Sequence, residues 1–125
     1  MWPWEHLAVG YIAFSVMQRV GGRQGVPTPA VVALALGTQL PDLIDKLLGW
    51  GIGILPGGRS LGHSLLFALP VVVLGYLLAR RLGRRDVGAA FGVGYLFHLP
   101  GDMVYPALLG GDVAYRFLFW PIVPA

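Results

Sequence analysis

The sequence predicts an all-α integral membrane bundle of about four transmembrane helices, closed by an interfacial C-terminal tail. Three observations predict it. Hydrophobic residues make up 56% of the chain and charged residues only 12%, about half of what a soluble surface carries. The mean hydropathy is +0.69. The apolar residues fall into four runs separated by Gly, Pro and Arg. A soluble bundle of buried helices is the competing reading, and the scarcity of charge argues against it. The 125 residues suit a single domain. With no cysteine, disulfides and thiolate metal sites are excluded, so any metal must be held by His and carboxylates. The basic run Arg80–Arg85 has no interleaved aromatics, which excludes a nucleic-acid footprint.

The four spans are expected at about 5–20, 29–45, 62–79 and 87–109. Met1 to Glu5 has no basic n-region, so no signal peptide is read there. Pro3 suits a first helical turn, and Trp2 and Trp4 suit a membrane interface. Gly21, Gly22, Gly25, Pro27 and Pro29 turn the chain into the second run, which Pro41 is expected to interrupt before Asp42 and Asp45. A Gly-rich connection follows to Leu61. The third run, Gly62 to Ala79, is closed by Arg80, Arg81, Arg84 and Arg85. Within the fourth, Pro100 frees the carbonyl of Leu96, so a kink beside a wet pocket is expected. Tyr115 to Pro124 is aromatic but too short to span, and is expected to lie at the interface over the polar cluster.

Charge placement sets the orientation. Arg19, Arg23, Arg80, Arg81, Arg84 and Arg85 fall in two loops on one side, whereas the other side has only Lys46, Arg59 and Arg116. The positive-inside rule makes the six-arginine side cytoplasmic and puts both termini outside, with Trp2, Trp4, Trp50 and Trp120 as an outer belt. The expected location is therefore the cell membrane, with several passes.

That topology gathers the polar residues. His6 opens the first run, Asp42 and Asp45 close the second, Arg59 and His63 precede the third, and His98 and Asp102 lie inside the fourth. The four-residue spacing of His98 and Asp102 puts both on one helix face. An ionisable group at mid-membrane costs about 2.5–3.5 kcal/mol on insertion scales, so such a pair points to a metal or a proton path. Taken singly, the residues have plainer readings. His6 suits an interface, Asp42 and Asp45 suit a cap or a pair with Lys46, and His63 suits a first helical turn beside Ser60. Taken together, Asp42, His63, His98 and Asp102 make a first ligand set for zinc, with His6 next and manganese or iron as alternatives. Asp45 or Glu5 is the candidate general base or ligand of a second ion, and Arg59 the candidate phosphate fork.

These residues carry a resemblance. The chain resembles the YdjM-like family of prokaryotic inner-membrane metal-dependent hydrolases. That family has an early His, a Leu-Pro-Asp-x-Asp element, a His-Arg-Gly-x-Thr-His-Ser element, a His-x-x-x-Asp element and a late Trp-Pro. Here they read His6, Leu40-Pro41-Asp42-Leu43-Ile44-Asp45, Arg59-Ser60-Leu61-Gly62-His63-Ser64, His98-Leu99-Pro100-Gly101-Asp102 and Trp120-Pro121. Gly58 stands where the family element has its first His, and the two acids are three apart rather than two. The order is also similar to the first part of zinc-dependent phospholipases C, where one zinc is held by Asp, His, His and Asp. That similarity would make His6 a ligand of a neighbouring zinc. The resemblance implies a hydrolase with one or two divalent ions, and the depth of the site suggests a lipid phosphoester as substrate, the membrane lipid being surroundings and candidate substrate at once. The alternative is a non-enzymatic membrane protein whose His/Asp cluster binds or conducts an ion.

Overall fold

The computed structural model describes residues 1–124. Four helices carry the fold: α1, Pro3–Val20; α2, Thr28–Lys46; α3, Leu65–Arg81; and α4, Arg85–Leu108. A π-helical turn, Leu47–Gly51, extends α2, and a 3-10 turn, Arg116–Phe119, lies in the tail.

Local chemistry sets the helix ends. Pro3 occupies the first turn of α1, and the Glu5 carboxylate accepts the Trp2 amide at 2.7 Å. Gly22, with φ of +80°, turns the chain out of α1, and Gly83, at +71°, makes the tight turn from α3 to α4. Ser64 caps α3 by accepting the Leu66 amide. Pro41, expected to interrupt the second run, instead lies inside α2, and the helix continues to Lys46. Proline at this point removes only its own donor and leaves the carbonyl of Gly37 without an intrahelical partner. Likewise α4 runs on through Pro100 and Pro106.

Helix α4 is the central element and touches each of the other three. Its closest neighbour is α2, because both present glycine at the crossing. A Cβ on Gly37 would overlap the Phe91 carbonyl, and one on Gly94 would overlap the carbonyl of Leu34. Two helix backbones approach this closely only where side chains are absent. Phe14, Ala30, Ala33, Leu34 and Ala90 form one apolar core, and Ala68, Tyr95 and Leu99 a second.

The outside is as apolar as the inside. Ile12, Val16, Leu36, Leu66, Leu74 and Leu78 are all more than half exposed. By contrast His6, Asp45, His63, His98 and Asp102 are buried.

α1, α2 and α3 have 18, 19 and 17 residues. At 1.5 Å per residue they are about 26–29 Å long. No helix among the described residues is long and apolar enough to cross a membrane. The third run is shorter than expected because Gly62 to Ser64 are drawn out of the helix: Gly62 and His63 give their amides to Asp45, and Ser64 is the cap.

Candidate metal centre

The polar residues meet at one end of the bundle, brought there by every part of the chain that reaches it. α1 supplies His6, α2 supplies Asp42 and Asp45, the loop before α3 supplies Arg59 and His63, and α4 supplies His98 and Asp102. Asp42, His63, His98 and Asp102 each offer one ligand atom, and the four atoms lie within 4.8 Å of one another.

Their spacing tests whether one ion fits. In a tetrahedron the ligand–ligand separation is about 1.63 times the bond, so zinc bonds of about 2.0–2.2 Å set separations of about 3.3–3.6 Å. Here His63 Nε2 lies 3.0 Å from His98 Nε2, 3.1 Å from Asp102 Oδ2 and 3.5 Å from Asp42 Oδ1. His98 Nε2 lies 3.5 Å from Asp102 Oδ2 and 3.7 Å from Asp42 Oδ1. These five separations bracket the tetrahedral spacing, and two imidazoles with two carboxylates suit a divalent ion.

The outer contacts orient the ligands. His63 Nδ1 lies 2.6 Å from Asp45 Oδ2, and His98 Nδ1 lies 2.6 Å from the Thr38 carbonyl. A carbonyl only accepts, so His98 donates from Nδ1 and presents the Nε2 lone pair to the centre. Asp45 imposes the same tautomer on His63. The Asp45 carboxylate itself accepts the amides of Ser60, Gly62 and His63 at 2.8, 2.6 and 3.2 Å, which folds the loop around it. Tyr95 braces that loop by donating to the Gly62 carbonyl at 2.6 Å. Asp42 is held by Lys46, one helical turn on, at 3.2 Å.

Asp102 is the hub. Its Oδ2 accepts from Arg59 Nε at 3.1 Å, and its Oδ1 lies 3.2 Å from the Met1 amino group and 3.1 Å from His6 Nε2. The His6 ring stacks on His98 with centroids 3.5 Å apart; its Nε2 faces Asp102, and its Nδ1 has no hydrogen-bond partner among the described residues. A buried imidazole nitrogen left without a partner is costly unless something else engages it.

The two acids that the sequence left interchangeable are therefore told apart. Asp42 points at the centre, whereas Asp45 is spent on His63 and three amides. Both Asp45 oxygens are thus engaged, one by the Gly62 amide and the other by His63 and the Ser60 amide. Glu5 is not brought to the cluster; its carboxylate serves the first turn of α1. Asp45→Asn should keep the fold but weaken metal binding by about 10–100-fold, the usual cost of losing an outer partner of a ligating imidazole. A competition titration against a chelator measures this directly.

Two further contributors complete the surroundings, and the first was not readable from the sequence. The Thr38 carbonyl is a backbone group, which no motif marks. Phe117, in the tail, packs edge-on against His63 with centroids 5.6 Å apart, and Ser64 Oγ donates to the Trp120 carbonyl at 2.5 Å. The tail thus covers His63, as its aromatic composition suggested.

The centre opens on one side to a cleft of about 440 Å³ lined by Asp42, Lys46, Trp50, Gly58, Arg59 and Asp102. Gly58 packs on the Trp50 indole, where a Cβ would overlap the ring.

Fold and site define the class: an all-α four-helix protein with a buried His/Asp cluster that can hold a metal ion. The chain belongs to the YdjM inner membrane protein family, whose model matches residues 1–124. No curated protein and no solved structure matches it.

Proposed function

We propose that this protein is a membrane-embedded metal-dependent hydrolase that cleaves a phosphoester of a lipid. The single observation that supports this most is the near-tetrahedral convergence of Asp42, His63, His98 and Asp102 at the edge of an open cleft. Those four residues would hold the ion, with His6 placed for a second ion or for a proton. When bound, the ion supplies Lewis acidity and activates water near neutral pH.

The remaining steps belong to the chain itself. Arg59 lines the cleft, and its Nε is used by Asp102. Its Nη groups are left to hold a phosphate. Lys46 adds a second cation on the same wall. Asp45 fixes the direction of His63 and so of the lone pair it presents. Phe117 keeps water away from the far side of that ring.

Embedding in a bilayer is supported by the apolar outer faces of the helices and by the family's character. We place the centre in the outer half, with both termini outside. Cysteine accessibility in whole cells tests this. A cysteine at position 50 should label from outside and one at position 84 should not; the reverse pattern would invert the protein.

The activity test uses purified, zinc-loaded protein with phospholipids and a generic phosphodiester, followed by release of phosphate or headgroup. Arg59→Lys should retain metal and lose at least about tenfold in kcat/KM, because a point charge replaces a planar fork. Stoichiometric metal with no turnover across these substrates would favour the alternative, an ion-binding or ion-conducting protein.

A further inference from the structure

The end of the bundle opposite the metal centre has its own chemistry. Arg19 lies in the last turn of α1 and Arg23 in the connection after it, while Arg80 and Arg81 close α3, Arg84 lies in the turn and Arg85 opens α4. All six are exposed, and none makes a salt bridge among the described residues. Placement on the cytoplasmic side accounts for their number. It does not account for how they are arranged.

Arg23, Arg80 and Arg85 line one cleft of about 560 Å³ between the two connections. Gln18, nine-tenths buried, lines the same cleft. Asp86 is the one acid there. The start of α4 adds backbone amides, since Arg84 at its cap position offers no side-chain acceptor. Arg80 also belongs to a second hollow. It closes a shallow trough of about 600 Å³ on the outer face of α3, lined by Leu74, Leu77, Leu78 and Arg81. The three leucines are 44–66% exposed. An apolar trough therefore runs along a helix and ends at a guanidinium that opens onto a cationic cleft.

We propose that this end binds an anionic phospholipid, with an acyl chain along Leu74, Leu77 and Leu78 and the phosphate held by Arg80, Arg85 and Arg23. Arginine matches a phosphate by its planar fork, and clustered arginines at the cytoplasmic membrane surface favour anionic headgroups. The trough selects a lipid over a soluble phosphate, because only an amphiphile fills both hollows. The site lies in the leaflet opposite the metal centre and stands whether or not that centre hydrolyses anything.

The test is a titration of the whole protein in neutral detergent, read by native mass spectrometry. The probes are phosphatidylglycerol, phosphatidylcholine of the same chains, and glycerol phosphate. Phosphatidylglycerol should be retained and the other two should not. The triple variant Arg23→Gln/Arg80→Gln/Arg85→Gln should weaken retention at least about tenfold. Leu74→Ser/Leu78→Ser should weaken it as well. All five positions are exposed, and unchanged elution on size exclusion checks the fold. Arg116→Gln, an exposed arginine in the tail outside both clefts, should leave retention unchanged. Equal binding of phosphatidylcholine or of glycerol phosphate would overturn the proposal. So would full retention by either multiple variant, or an equal loss with Arg116→Gln, which would make retention a matter of overall charge.

Discussion

Asp102→Ala is expected to abolish metal binding. Elemental analysis should find essentially no zinc in the purified variant, against an expected one ion or so per chain in the unsubstituted protein. The loss should exceed the roughly 10–100-fold seen when only an outer partner is removed, because a ligand itself is gone. Asp102 is also the only carboxylate within reach of Arg59 and His6 among the described residues. Its removal takes from the buried His6 imidazole and the half-exposed Arg59 guanidinium the carboxylate they both face. The variant should therefore unfold at lower temperature even with a chelator present. His98→Ala separates the two effects. It should lose the metal too, yet leave Asp102 paired with Arg59 and His63, so its metal-free stability should fall less. Asp86→Ala, at the far end of α4, should keep the metal. In the parent, metal should leave as the pH drops, since ligation needs neutral imidazoles and ionised carboxylates. A parent protein that binds no divalent ion at neutral pH would remove the basis of the site.

The second large effect is expected at the crossing of α2 and α4. Gly37→Val should destabilise the protein by about 2 kcal/mol or more and weaken metal binding at the same time. The added side chain meets the backbone carbonyl of Phe91, which cannot rotate away as a side chain does. α2 must then move off α4. Asp42 and the Thr38 carbonyl move with α2, while His98 and Asp102 stay with α4. Gly94→Val should act alike, against the Leu34 carbonyl. Gly51→Ala meets only the flexible Leu47 side chain and should be silent in both thermal unfolding and zinc titration.

Much of this was legible in the sequence. Apolar runs set the number of helices, and the four-residue spacing of His98 and Asp102 fixed their common face. Topology alone put His6, Asp42 and His63 at the same level. The sequence left Asp42 and Asp45 unresolved because both sit at the end of one helix, and helical phase alone does not say which one a loop will claim. The amides of Ser60, Gly62 and His63 made that choice, and backbone donors carry no sequence signature. Proline misled for a related reason. Pro41 reads as a stop, but inside a packed bundle the freed Gly37 carbonyl is tolerated and the helix goes on. Glu5 was drawn to the cluster by proximity in the chain, and its capping bond to Trp2 took it away.

The short helices have a consequence for where such a protein can reside. A hydrocarbon core of about 30 Å exceeds the about 26–27 Å reach of α1 and α3, so a bilayer around them would have to pinch inward. Thinning costs a fraction of a kcal/mol per Å of mismatch, enough to bias lateral distribution. The protein should therefore gather in thinner patches of membrane and favour shorter-chain lipids around its waist. The same pinching draws the headgroup layer down toward the mouth of the cleft, so the depth of the surrounding lipid becomes a variable that sets access to His63 and Asp42.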